Sequence, residues 1–392
     1  MSSLRENAKK LTPGLGETLV RGVWPFAAIL LAALLMQFGL KPALGDGGAF
    51  YTKLVLDCGI AITLAVSLTM VNGFTGQFSM GHAAFMAVGA YAAAGIMYYG
   101  SARVLGTENF ADPGAHAGLI STMLSDRQGA DGSGVPLVSG ADLLFLGAVL
   151  VGGLAAAGCG YLVGLPSLRL RGDYLAIVTL GFGEIVRVLI QSQTTDSLYD
   201  VQEIKAKAWY ELPKYLGGPV GFTGLPFYTS LFWVFLFCGL TVLVAYRLKE
   251  STFGRAFLSI REDEIAAEAM GVDTTRYKVR AFVISAFFAG VAGGLYAHTV
   301  GVQLNAGELG FVKSFDIIIM VVLGGLGSIS GAAIAAVILT LLPEALRDVA
   351  QYRMVAYALA LITIMILRPQ GLLGVHEVWN REAWPWLRKK RK

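Results

Sequence analysis

Charge is scarce in this 392-residue chain: only 15% of it is Asp, Glu, Lys or Arg, against roughly 25% in an ordinary soluble domain, and 55% is hydrophobic. A chain so poor in charge cannot clothe a water-soluble globule and reads as a polytopic membrane protein. Histidine and cysteine are sparse as well. His82, His116, His298 and His376 are dispersed, so no metal site is expected. Cys58, Cys159 and Cys238 sit far apart inside apolar runs without C-x-x-C spacing, which leaves them as small packing residues. There is no G-x-x-x-x-G-K-[ST], no G-x-S-x-G and no H-E-x-x-H. An enzyme is therefore not expected, no cofactor is assigned to this chain, and any use of ATP falls to another subunit. The net charge of +4 is small, and the cations cluster in loops and in the terminal RKKRK, which fits the positive-inside rule better than nucleic-acid binding.

Apolar windows predict spans near 23–40, 51–71, 81–99, 143–165, 174–191, 226–246, 279–300 and 354–367. The first is too long for the ~7–15-residue core of a signal peptide and reads as a retained helix, although Ala43-Leu44-Gly45 faintly resembles a cleavage site. Residues 315–342 could form one tilted helix, yet GGLGSISG at Gly324 to Gly331 interrupts them. With 1–22, 166–173, 247–280 and 368–392 on the cytoplasmic side, most Lys and Arg are inside. Keeping both 247–280 and the tail inside requires an odd number of crossings after 300, which splits 315–342 in two.

The expected organisation is thus a cytoplasmic segment 1–22, a first group of membrane helices in 23–246 with external loops 100–142 and 192–225, a cytoplasmic loop 247–280, a second group in 281–367, and a basic cytoplasmic tail 368–392. It is an all-α polytopic membrane fold with about ten transmembrane or re-entrant helices. Loop 100–142 reads either as a partner-receiving segment or as a solvated connector. In loop 192–225, Trp209, Tyr210, Leu212 and Tyr215 suggest a short interfacial helix.

The loop 247–280 is too charged for lipid yet patterned to fold. Its ends are cationic (Arg247, Lys249; Arg276, Lys278, Arg280) and suit lipid headgroups, whereas its centre carries Glu262, Asp263, Glu264 and Glu268. Ser259 to Glu262 has capping-box spacing, which predicts a helix beginning at Ser259 and stopping at a left-handed Gly271. Ser251 or Thr252 could cap a preceding turn with Phe253 and Phe257 on one face. Two readings follow: a docking element for a partner, or an amphipathic hairpin lying on headgroups.

Thr75 to His82, TGQFSMGH, places glycines and hydrogen-bonding side chains between apolar segments. Such backbone is tolerated only beside protein or water, so Gln77, Ser79 and His82 either wall a translocation path or form a tight turn in which His82 caps a helix. Glu184 and Arg187, at i, i+3 within a span, are either a structural ion pair joining helices or a substrate contact. The glycines at 147, 152, 153, 158, 160 and 164 allow close helix approach.

Four blocks resemble the LivM-type permeases of branched-chain amino acid ABC importers: GFTGQFSMGHAAFMAVGAYAAA from Gly73, LRLRGDYLAIVTLGFGEIVR from Leu168, FGRAFLSIREDEIAAEAMGVDTTRYKVRAFVISAFFAGVAGGLYA from Phe253, and FDIIIMVVLGGLGSISGA with LRPQGLLG near the C-terminus. Together they span about residues 54 to 374, in the family's order. The resemblance implies a type II ABC importer-like permease of the bacterial inner membrane that works by alternating access, and the Lys and Arg bias sets both termini on the cytoplasmic side. Its implied partners are a second, LivH-type permease, two ATPases of LivG and LivF type that would carry ATP and magnesium, and a periplasmic substrate-binding protein. It also implies that the 247–280 loop couples to the ATPases through Phe253, Arg255, Phe257, Arg261, Glu262, Asp263, Glu264, Ala267, Glu268 and Gly271, and that the pathway passes Gln77, Ser79, His82 and Phe85. The E-A-A-x-x-x-G pattern of ABC permeases is not literal here, because Glu264 to Gly271 holds one residue too many. Related permeases carry urea or short amides, which gives an alternative substrate class; a standalone channel or ion-driven carrier working through Glu184 and Arg187 is the alternative of a different kind.

Overall fold

The computed structural model describes residues 15–40, 48–105, 140–167, 173–195, 198, 200–300 and 303–347, with scattered positions from 352 to 378. Lipid offers no partner for free amides and carbonyls, so the apolar runs close their hydrogen bonds within helices. In chain order these are α1 (Leu15–Leu35), α2 (Gly48–Leu68), α3 (His82–Gly100), α4 (Gly140–Ser167), α5 (Asp173–Gln191), α6 (Val201–Ala206), α7 (Leu231–Glu250), α8 (Thr252–Glu262), α9 (Glu264–Ala269), α10 (Thr274–Val300), α11 (Phe311–Gly324) and α12 (Ile329–Ala345). Wider π turns extend α1, α2 and α3 to Leu40, Gly73 and Leu105. Among the described residues six helices, α2, α3, α4, α5, α7 and α10, are long and apolar enough to cross a membrane.

The expected break in 315–342 is present: α11 ends at Gly324, the chain turns through Gly325 and Gly327 at φ +110° and +94°, and α12 starts at Ile329 behind the Ser328 cap. Two boundaries differ from expectation. Helix α1 begins at Leu15 rather than near 23, and α10 begins at Thr274, inside the expected loop. Only part of the expected span 354–367 is described; Val355, Leu359, Ile362 and Ile366 there are helical and exposed. Residues 1–14, the tail beyond 378 and most of the expected loop 100–142 lie outside the described residues.

Helix α10 forms the centre, packed on α3, α4 and α2. Between apolar helices in lipid there is little hydrophobic drive, so close backbone approach and dispersion hold the bundle. A Cβ on Gly89 would strike the Gly290 carbonyl, and one on Gly152 would lie 2.6 Å from the Gly89 oxygen. Gly153 and Gly160 also meet α10, whereas Gly147 and Gly158 face open space, so only part of the expected glycine row serves packing.

The loop after α5 is folded rather than forming one interfacial helix. Helix α6 and a 3₁₀ turn at Leu212–Lys214 bury Ile204 and Leu212, while Trp209 and Tyr210 stay exposed. Its β1 (Phe222–Thr223) pairs antiparallel with β2 (Gln303–Leu304), in register Phe222 to Leu304. The loop is pinned to the end of α3: Tyr98 donates to the Leu198 carbonyl at 3.1 Å, and the Arg103 guanidinium donates to that of Ile204 at 2.7 Å.

Candidate functional site

Helices α8 and α9 form an elbow at one end of the bundle. Ser251 caps α8, its hydroxyl accepting from the Gly254 amide at 3.3 Å. Ser259 therefore does not start a helix. It lies inside α8, where its hydroxyl donates to the Ala256 carbonyl at 2.8 Å, because the register propagates from the earlier cap. The break falls at Asp263, whose backbone is extended and whose Oδ1 accepts from the amides of Ile265 and Ala266 at 2.9 and 3.0 Å. Gly271, at φ +87°, ends α9 as expected: its amide donates to the Glu268 carbonyl and that of Val272 to Ala267, a Schellman closure.

The elbow has an inner and an outer face. Phe257, Ile260 and Ala267 are buried, with the Phe257 ring 6.1 Å from that of Tyr277 on α10. Phe253, expected on the same face, stays partly exposed beneath Arg280, 5.5 Å from its ring centroid. Glu264 turns inward and pairs with the Lys278 ammonium at 2.7 Å; the Lys278 side chain is 1% exposed and that of Glu264 26%. Arg261 also reaches inward, donating to the Gly73 carbonyl at 2.9 Å. Outward face Arg255, Glu262, Asp263, Glu268 and Gly271. Two residues passed over in the sequence join them, Ile265 at 67% and Met270 at 84% exposure, apolar side chains set among acids. That placement in a charged loop is itself the sequence signal that could have found them.

Past Gly73 a non-helical segment runs to Gly81. Arg261 holds its near end and packs over Gly76. Farther along, the Ser79 amide donates to Asn72 Oδ1 at 3.2 Å, the Met80 amide to Thr179 Oγ1 at 3.0 Å, and the Ala83 amide to Ser314 Oγ at 3.3 Å. Of the expected pathway residues, Gln77 is half-buried and Ser79 buried. His82 does not cap α3; its Nε2 lies 2.8 Å from Ser67 Oγ on α2, and the Phe85 ring packs against Phe282 and Phe182. These two join helices inside this chain.

The turn between α11 and α12 abuts the same end. Gly327 lies beside Arg261, and its carbonyl accepts from Lys249 at 2.8 Å. The C-terminal segment closes over the turn: the Leu372 amide donates to the Leu323 carbonyl at 2.7 Å, and Glu377 accepts from Lys249 at 2.6 Å and from the Ile329 and Ser330 amides at 3.0 Å each. Burial alone would raise the Glu377 pKa, but Lys249, the Ser330 hydroxyl and the two amides hold it below the usual glutamate range. This contact therefore stabilises the fold above the ordinary glutamate pKa and fades as pH falls through the lower folded value.

Glu184 and Arg187 form an ion pair within α5 at 2.7 Å, with Arg187 also donating to Gln191 at 2.8 Å, and lie against Gly310 at the start of α11. Among the described residues no His, Cys, Asp and Glu grouping could hold a metal.

The family described as branched-chain amino acid transport system, permease component, matches residues 50–368. The chain is 34% identical over 330 residues, covering 80% of it and 68% of the relative, to the high-affinity branched-chain amino acid transport system permease protein LivM of Escherichia coli K12. To the probable branched-chain amino acid transport permease protein LivM of Methanocaldococcus jannaschii it is 27% identical over 326 residues, 79% of this chain and 84% of that one. To the permease protein LivH of Escherichia coli K12 it is 34% identical over 152 residues, 38% and 48% of the two chains. No solved structure matches the chain.

Proposed function

Because this chain belongs to the family of branched-chain amino acid transport system permease components, we propose that it is the LivM-type subunit of an ATP-driven importer that carries branched-chain or other hydrophobic amino acids across a bacterial inner membrane. It works beside a second permease of similar fold, with two ATPases at the α8–α9 elbow and a substrate-binding protein at the opposite end. ATP and its magnesium stay on the ATPases. Both termini are cytoplasmic, on the side of the elbow.

Arg261 carries this reading. A headgroup-lying hairpin would turn its cations to lipid, whereas Arg261 points into the bundle and holds the near end of the segment past Gly73. The outer face, Ile265 and Met270 ringed by Glu262, Asp263 and Glu268, presents an apolar knob with an acidic rim to a partner. An ATPase dimer that binds the elbow differently when closed can shift the bundle between inward- and outward-open states, and only such differential binding can do so. The shift passes from the elbow through Arg261 to the 73–81 segment, past Gln77, and by Met80 and Ala83 to α5 and α11.

The test is the purified complex in proteoliposomes with its binding protein. Leucine is taken up with ATP hydrolysis, and urea does not compete. Arg261→Ala removes a charge-assisted hydrogen bond, so coupled uptake falls about ten- to a hundredfold while the ATPases stay bound. Leucine uptake unchanged in Arg261→Ala removes the coupling role, and competition by urea moves the substrate to the amide class.

A further inference from the structure

A row of charged side chains runs along the half of the bundle away from the elbow, with Lys53 and Glu308 exposed and Asp57, Lys313 and Asp316 half-buried. Lys53 and Asp57 stand one turn apart on α2, and Lys313 and Asp316 on α11, which packs against α2, α3 and α5. The Lys53 and Lys313 ammonium groups act on Asp57, and Lys313 acts on Asp316. On α10 the Tyr296 hydroxyl donates to Glu308 at 3.3 Å and lies in the field of Asp57. Among the described residues, no hydrogen bond or ion pair takes up the side chains of Lys53, Asp57, Lys313 or Asp316.

Depth follows from helix rise. Gly73 and Gly324 mark the elbow end. At 1.5 Å per residue, Asp316 lies about 12 Å and Asp57 about 24 Å further along, between the middle and the far half of a hydrocarbon layer. Lipid does not accept half-buried charges there without a partner, and among the described residues these have none; they face water, a protein partner or a ligand. The row also carries both signs, which a simple proton or cation path does not need.

At its far end the row meets an apolar wall. Tyr91 lies in the field of Glu308 and lines a cavity of about 360 Å³ between α3 and the folded loop, with Ile96, Tyr99, Leu212 and Leu216 among its other walls. The Tyr91 hydroxyl donates to the Leu304 carbonyl at 2.8 Å, so the face it offers the cavity is apolar.

We propose that the row Glu308, Asp57, Lys53, Lys313 and Asp316 is the track of a zwitterionic substrate, the acids receiving its ammonium group and the lysines its carboxylate, with the Tyr91 cavity taking an aliphatic side chain at the far end. This rests on the amino-acid importer reading and deepens it. It also draws the pathway away from His82 and Phe85, which are closed in packing, toward the face shared by α2 and α11.

The test has two arms, both in the assembled complex in proteoliposomes. In a background with Cys58, Cys159 and Cys238 replaced by alanine, Asp57→Cys and Asp316→Cys react with a membrane-impermeant thiol reagent added on the binding-protein side, and leucine with its binding protein slows the reaction. Ile185→Cys, at an apolar position of α5 that is 59% exposed, does not react. In the otherwise native chain, Asp57→Asn and Lys313→Gln each lower leucine uptake about ten- to a hundredfold while the complex still co-purifies with its ATPases. The track is overturned if the two cysteines stay unreactive, as they would when facing the second permease, or if both neutral variants import at the native rate. Leucine uptake by the native complex separates that failure from failure of the importer reading, which would show as no amino-acid uptake at all.

Discussion

Replacing Glu264 by lysine is expected to abolish ATP-coupled uptake by the complex. The Lys278 side chain is 1% exposed and its ammonium pairs with Glu264 at 2.7 Å, so the substitution leaves one cation buried and sets a second beside it. Breaking a buried pair from one side costs about 3–5 kcal/mol, because the remaining charge is left unpaired away from water. That lowers the population of the intact elbow roughly a hundred- to a few-thousandfold, far beyond what a surface contact with a partner would lose. Glu264 is expected to meet the ATPase; its pairing with Lys278 also ties the elbow to α10, and the two roles are separable. Neutralising both partners, Glu264→Gln with Lys278→Met, removes the stranded charge and restores most uptake and ATPase retention. A Glu264→Lys complex that transports at the native rate would show that the pair does not hold the elbow.

Leucine at position 89 is expected to prevent the bundle from packing. The Cβ alone would collide with the Gly290 backbone, and the same crossing brings Gly152 against Gly89. Overpacking costs 1–3 kcal/mol where side chains can rearrange; here backbone meets backbone on three helices, so about 3 kcal/mol or more is expected. Gly147→Leu is the control, since nothing lies within 4 Å of a Cβ there. Thermal unfolding in mild detergent should show Gly89→Leu melting well below the native chain or failing to accumulate, with Gly147→Leu unchanged. Equal melting of both variants would mean that the α3–α4–α10 crossing is looser than the glycines indicate.

Local chemistry was readable in the sequence wherever a neighbour within a few residues decides the outcome. The Ser251 cap, the Gly271 stop and the break at 324–331 depend on backbone preferences that glycine and serine impose at short range. The false start at Ser259 shows the limit: its S-x-x-E spacing was a real local option, but a helix already running from Thr252 absorbed it, and Asp263 took over the capping of α9. What joins the elbow to the bundle was not readable. Arg261 finds its acceptor 188 residues away and Lys249 its carboxylate 128 residues away, and no local pattern encodes such pairings. Lys53 and Asp57 were in view as an i, i+4 pair within an apolar span, the same signal that singled out Glu184 and Arg187, and were passed over. Glu184 and Arg187 satisfy each other; Lys53 and Asp57, among the described residues, do not.

Docking of the elbow onto an ATPase is tested most directly by photo-cross-linking in the assembled complex. A photoreactive amino acid at Ile265 or Met270, the most exposed apolar residues of α9 and its cap, should join this chain to an ATPase subunit, and the yield should change with bound nucleotide. The same probe at Tyr210, 80% exposed on the folded loop at the opposite end, should give no ATPase product. Cross-links from Ile265 and Met270 to lipid alone, in a complex that still transports, would contradict the docking role.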